Sequence, residues 1–114
     1  MEDCLFCKIV RGEIPSQKVY EDDDILAFRD ISPQAPVHIL LIPKKHLANI
    51  LEMSPEDHFL LGRIQQIIAR LAQEEGIAEA GFRLINNCGV QGGQTVDHLH
   101  FHLLGGRNLG WPPG

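Results

Sequence analysis

Residues 92–104 read Gly92-Gly93-Gln94-Thr95-Val96-Asp97-His98-Leu99-His100-Phe101-His102-Leu103-Leu104. From His98 onward histidine alternates with apolar residues, the period of a β-strand, whose successive side chains point to opposite faces. The alternation predicts a strand with His98, His100 and His102 on one face and Leu99, Phe101 and Leu103 on the other. A rise of ~3.3 Å per residue sets neighbouring histidines roughly 6–7 Å apart along the backbone. Three imidazoles at that spacing can converge on one small object, and a metal ion or a phosphate group are the natural occupants. Half of the chain's six histidines fall within these five residues, which makes this face the candidate site. The Gly92-Gly93 pair upstream is weaker evidence, since most such pairs are only turns. Glycine does let backbone approach a ligand, and turn N–H groups can form an anion-binding concavity. The Gln94 amide and the Thr95 hydroxyl stand just before the strand.

Around this stretch the pattern predicts a sheet and two helices. Residues 4–11 suit a short helical turn ended by Gly12, with Leu5, Phe6 and Ile9 buried. Lys18 to Glu21 and Ile25 to Arg29 read as strands about the acidic turn 21–24, whose charges suit a solvated hairpin tip. Val37 to Ile42 is nearly all apolar and reads as a central strand buried on both faces, ended by Pro43. Ser54-Pro55-Glu56-Asp57 is a helix start, with Ser54 as N-cap, Pro55 at the first position and acids in the first turn. Leu60, Leu61, Ile64, Ile67, Ile68 and Leu71 then form one apolar stripe, carried to about Glu75 with Gly76 as the stop. Phe82 to Asn86 is a further strand, joined to the histidine strand by the glycine-rich connection 87–95. The expected class is α+β: an antiparallel sheet with helices on one face.

The 114 residues suit a single domain, 1–114. The formal net charge of −5, with no basic block, argues against nucleic-acid polymers as partners, since phosphate backbones want a basic surface. No run approaches the ~20 apolar residues of a membrane span, so no membrane partner and a cytoplasmic location are expected. Cys4, Cys7 and Cys88 are an odd number and form no disulfide framework. In a reducing compartment Cys-x-x-Cys reads as metal-binding or redox.

Two chemistries suit the histidine face. In the first, a neutral imidazole attacks phosphorus while its neighbours donate to the phosphoryl oxygens. In the second, several histidines hold zinc and water is the nucleophile. Against the second, no carboxylate stands nearby except Asp97, which alternation turns to the opposite face. Cys4 and Cys7 have zinc-knuckle spacing and need two further ligands, with His46, His58 and His98 as the candidates.

The run His98-Leu99-His100-Phe101-His102-Leu103-Leu104 resembles the signature of the histidine-triad (HIT) superfamily, and the similarity extends along the chain. The stretch 30–36, Pro43-Lys44-Lys45-His46, Gly92-Gly93-Gln94-Thr95 and the terminal Trp111-Pro112-Pro113-Gly114 look like the histidine-triad nucleotide-binding (Hint) branch. The resemblance implies a HIT-like fold: a five-stranded antiparallel sheet with one long and one short helix, continued across a homodimer. It implies a purine nucleoside phosphoramidate hydrolase, of the adenosine 5′-monophosphoramidase type, releasing a nucleoside monophosphate through a covalent nucleotidyl-His100 intermediate. His102 and His38 would stand around the phosphate and nucleophile. Asp30 would bind the ribose hydroxyls, and Phe6, Ile9, Ile14, Phe28, Ile31 and Leu40 would form the purine pocket. Asn87, Gly93, Gln94 and Thr95 would line the phosphate and leaving-group side, and Trp111 would sit near the partner protomer's site. Cys4 and Cys7 resemble the bacterial members, which implies a structural zinc, one per protomer, on Cys4, Cys7, His46 and His98, with no metal required for the chemistry.

The chain varies from the Hint pattern in places. Thr95 stands where serine is common, Asp97 where an aromatic residue often lies, and Gly110 is small. Two rivals remain at this level: a non-enzymatic nucleotide-binding or adaptor dimer, and a zinc-dependent hydrolase.

Overall fold

The computed structural model describes residues 3–114. Five strands and two helices follow the order α1 (Leu5–Val10), β1 (Lys18–Glu21), β2 (Ile25–Arg29), β3 (Val37–Pro43), α2 (His58–Glu74), β4 (Phe82–Ile85) and β5 (Phe101–Gly105). The strands form one antiparallel sheet in the order β1-β2-β3-β5-β4. β3 is therefore central, and all seven of its residues are buried.

An apolar central strand needs cover on both sides, and this decides the layering. Ile39 and Leu41 face α2, which contributes Leu60, Ile64, Ile67, Ile68, Leu71 and Ala72 to the main core. Leu40 and Ile42 face the other way and pack with Leu26 and Phe28 against Phe6 and Ile9 of α1. The helices thus lie on opposite faces of the sheet, not on one face as the strand–helix pattern suggested. α1 is only six residues long and covers part of its face. Its Leu5, expected to be buried, is 44% exposed.

Three further details differ from expectation. The first turn after Ser54 is a 3-10 turn, Pro55–Asp57, before α2 proper begins. Its reciprocal capping box draws Asp57 inward, where Lys45 donates to it at 2.6 Å. Asp22 is no solvated tip residue. It accepts from the Asp24 and Ile25 amides, the Tyr20 hydroxyl and the Arg63 guanidinium. Partial burial opposes its charge, but these donors outweigh it and hold the carboxyl well below the usual range. Strand β5 is shorter than the alternation suggested. Ladder pairing begins at Phe101 with β3 and at His102 with β4, so His98, Leu99 and His100 approach the sheet without joining it.

The alternation of faces survives this shortening. Leu99, Phe101 and Leu103 all enter the main core under α2. The three histidines face the opposite layer, toward α1. Among the described residues no helix is long and apolar enough to cross a membrane.

Candidate active site

The incomplete cover by α1 leaves a cleft of about 250 Å³. Phe6, Ile9, Ile14, Phe28, Leu40 and Ile31 line it, together with Asp30, Thr95, His100 and His102. These are ten of the residues expected at a ligand site, brought from α1, β1's approach, β2, β3 and the triad. Ile31 is 98% exposed and stands at the rim, where a bound ring system would cover it. The cleft also uses Leu5, Pro15, Ser16, Arg29 and Val96, which were not anticipated. Arg29 is committed elsewhere, to a bidentate ion pair with Glu75 at 2.8 and 3.0 Å.

Hydrogen bonds settle which nitrogen of each histidine carries its proton. The His98 carbonyl can only accept, and His100 Nδ1 lies 2.7 Å from it. In the neutral ring Nδ1 is therefore the N–H, which leaves the Nε2 lone pair free. On the next side chain a relay gives the opposite result. The Gln34 amide donates to His38 Nδ1 at 3.0 Å, so His38 carries its proton on Nε2. That nitrogen lies 2.9 Å from His102 Nδ1, to which it donates. His102 then carries its own proton on Nε2. The cleft thus meets one imidazole presenting a lone pair and one presenting a donor, their ring centroids 5.0 Å apart.

Burial keeps these supporting rings neutral. It is the chief cause that brings His102 down to about 4, with His100 and His38 adding to the effect and Asp30 opposing it. Burial likewise lowers His38, again against Asp30. The Asp30 carboxylate is 3.5 Å from His38 Nε2. A carboxylate does stand among these histidines, contrary to the expectation from neighbouring sequence, because the loop after β2 folds it in. Asp97, which alternation would turn to the core face of Leu99, is instead exposed and borders a surface recess with Cys4 and His46, since it lies before the extended segment begins. Asp30, His38 and His102 have donor atoms close enough to share an ion. In the neutral His38, however, Nε2 is a protonated donor, since Nδ1 accepts from Gln34.

His98 is different. Fully buried, it points its Nε2–H at the Pro43 carbonyl, 2.8 Å away, which fixes the lone pair on Nδ1. That lone pair lies 3.3 Å from Cys4 Sγ and 3.5 Å from Cys7 Sγ, while His46 Nδ1 lies 3.2 Å from Cys7 Sγ. The four donor atoms all lie within 4.8 Å of one another. Zinc bonds of ~2.0–2.3 Å in a tetrahedron require donor separations of roughly 3.3–3.8 Å. The four residues therefore fit such an ion, and the carbonyl behind His98 is the second partner that orients a ligating imidazole. His58, the remaining candidate, is exposed on α2 and takes no part.

The metal cluster and the cleft share parts. The His98 side chain belongs to the four-donor cluster, and its carbonyl orients His100. Phe6, between the cysteines in sequence, meets both rings edge-on, at 6.0 Å from His98 and 5.1 Å from His100.

Other expected residues sit farther out. Gln94 is a strut of the glycine loop: its amide donates to the Ala48 and Val96 carbonyls and its oxygen accepts from Gly89. Gly92 and Gly93 make the tight turn, where a Cβ on Gly92 would stand 2.4 Å from the Cys88 carbonyl and Gly93 has φ +79°. Neither Asn87, Gly93 nor Trp111 lines the cleft, and Trp111 is 84% exposed. A residue not singled out in the sequence is Asn86, whose side-chain amide donates to the His100 carbonyl at 2.9 Å. It replaces a ladder bond just where β4 pairing ends. The sequence reading placed it inside the strand, Phe82 to Asn86, whereas β4 ends at Ile85 and frees the Asn86 side chain for this contact.

Comparison with known proteins agrees with this geometry. The chain is 54% identical to the purine nucleoside phosphoramidase of Escherichia coli, over 96% of this chain and 92% of that protein. It is 51% identical to a 14 kDa zinc-binding protein of Brassica juncea, over 98% and 100% of the two chains. The crystal structure of a HIT family hydrolase from Legionella pneumophila superposes with a TM-score of 0.95 at 56% identity, covering 98% of this chain and all of that one. The HIT domain model matches residues 11–109, and the chain is a member of the HIT domain family.

Proposed function

We propose that this protein hydrolyses purine nucleoside phosphoramidates, such as adenosine 5′-monophosphoramidate, through a nucleotidyl-His100 intermediate. The observation that carries the reading is the 2.7 Å contact between His100 Nδ1 and the His98 carbonyl, which frees Nε2 for attack. The named activity of the Escherichia coli relative supports the substrate class.

Nε2 of His100 bonds to the α-phosphorus as the P–N bond breaks, and the departing nitrogen takes the electron pair and a proton from solvent water. The attacked imidazole gains positive charge, which strengthens its Nδ1–H bond to the His98 carbonyl. His102 donates from Nε2 to a phosphoryl oxygen as negative charge builds there. His38 holds that donor in its tautomer. Water then attacks phosphorus, the P–Nε2 electron pair returns to His100, and the water gives a proton back to solvent as the nucleoside monophosphate is released. Asp30 accepts from the ribose hydroxyls, and the apolar walls from Phe6 to Leu40 take the purine. Thr95, in the cleft wall, borders the leaving-group side, and Asn87, Gly93 and Gln94 belong to the glycine loop that carries it.

Cys4, Cys7, His46 and His98 hold a structural zinc, which ties α1 to the triad segment and supplies no chemistry to the substrate. The assembly is a homodimer in the cytoplasm. β4 is an edge strand with Phe82 and Leu84 42% and 38% exposed, beside a recess bordered by Ile50, Leu61 and Ile64. Pairing this edge with a second copy continues the sheet and brings Trp111 toward the neighbouring site.

Brief exposure to substrate followed by mass spectrometry tests the mechanism. The expected adduct is a nucleoside monophosphate on His100, absent from His100→Ala, which still binds nucleotide but does not turn over. Normal turnover by His100→Ala would overturn the reading.

A further inference from the structure

The cleft holds an anomaly. Among the described residues, Ser16 Oγ is the buried side-chain polar atom that has no hydrogen-bond partner. Buried hydroxyls are ordinarily paired, and an unpaired one calls for a reason. Ser16 lies in the wall of the cleft. Its place in the sheet is set by the chain beside it. Lys18 stands opposite Phe28, and the Arg29 amide donates to the Gln17 carbonyl at 3.0 Å. Continuing that antiparallel register by one residue sets Ser16 beside Asp30.

We propose that Ser16 is a specificity residue that reads the sugar of the bound nucleotide together with Asp30. The proposal rests on the nucleotide reading above. An ionised carboxylate only accepts hydrogen bonds. A ribose hydroxyl that donates to Asp30 still has lone pairs in want of a donor. One carboxylate oxygen of Asp30 accepts from the Ser32 amide at 2.8 Å, and the lone pairs left on the carboxylate can accept from sugar hydroxyls but donate nothing to them. Ser16 can donate or accept, and the remaining wall around it, Ile14, Pro15 and Phe28, offers no side-chain polar group. A turn of the Ser16 side chain brings Oγ into the cleft. The free protein thus bears the cost of an unpaired hydroxyl that the ligand relieves.

Calorimetric titration of full-length wild type and Ser16→Ala with AMP, 2′-deoxyAMP and 3′-deoxyAMP tests this. The expected result is about five-fold weaker AMP binding by Ser16→Ala, the scale of one neutral hydrogen bond. The affinity for one of the two deoxy analogues changes less than two-fold. The melting temperature of the ligand-free variant stays level or rises, since an unpaired buried hydroxyl has been removed. Equal weakening toward all three ligands, no change toward any, or a lowered melting temperature would overturn the proposal. If wild type binds none of the three, the nucleotide reading itself fails and takes this proposal with it.

Discussion

Replacing His102 with Gln should flatten the acid limb of the stability profile, and the size of the effect follows from the ring's surroundings. His102 is brought down to about 4 from an ordinary 6.5, chiefly by burial. Above pH 6.5 the ring is neutral in both folded and unfolded chains. Between 6.5 and about 4 the unfolded chain takes up a proton that the folded chain refuses, so stability is lost as pH falls through this window and levels off below it. At ~1.4 kcal/mol per unit that gap is worth about 3 kcal/mol. The ring borders an open cleft, and solvent screening reduces the expected loss to about 1–2 kcal/mol. Urea unfolding of wild type and His102→Gln at pH 7.5, 6.0 and 4.5 measures it. Groups away from the His38–His102 pair are common to the two proteins, so the difference between them reports on His102. Wild type should lose about 1–2 kcal/mol more than the variant on acidification. A difference that does not vary with pH would refute the view that a buried neutral His102 serves as the donor.

Three other outcomes are expected. Asn86→Ala should lower kcat about five-fold with KM within two-fold, because the His100 carbonyl loses its anchor while the binding walls remain; a rise in KM alone would place Asn86 in binding. Chelation of the metal should lower the melting temperature by on the order of 10 °C, since the cluster closes loops of 39 and 91 residues; metal analysis finding no zinc in the purified protein would remove the site. Under the proposed pairing of β4 edges, wild type should sediment as a dimer and Leu84→Glu as a monomer, and a dimer that persists in the variant would place the interface elsewhere.

Much of the fold is legible along the chain because each strand and the long helix carry their own period. β1 and β2 begin and end where the hairpin pattern indicates, and α2 buries the stripe read from spacings of three and four, with Leu61 only partly covered. What the periods do not carry is which layer a short helix joins. α1 is six residues, too few to announce a face, and only the two-sided burial of β3 places it opposite α2. Nor does alternation show where a strand stops pairing. His98 and His100 keep the alternate facing of β5 yet lie outside its ladder, because their polar groups are committed to Pro43, Asn86 and each other.

The residue types of the site belong to the sequence. Six histidines, two cysteines at knuckle spacing and a glycine turn specify imidazole and thiolate chemistry wherever the chain places them. Their division of labour belongs to the tertiary structure. Three equivalent-looking histidines come to present a lone pair to two thiols, a lone pair to the cleft and an N–H donor to the cleft because each meets a different partner: Cys4 and Cys7 from the N-terminus, the His98 carbonyl, and His38 from the central strand. A neutral imidazole has one N–H and one lone pair, so its role is decided by what stands at 3 Å from each nitrogen. Those neighbours lie up to 94 positions away in sequence, and only the packed sheet brings them there.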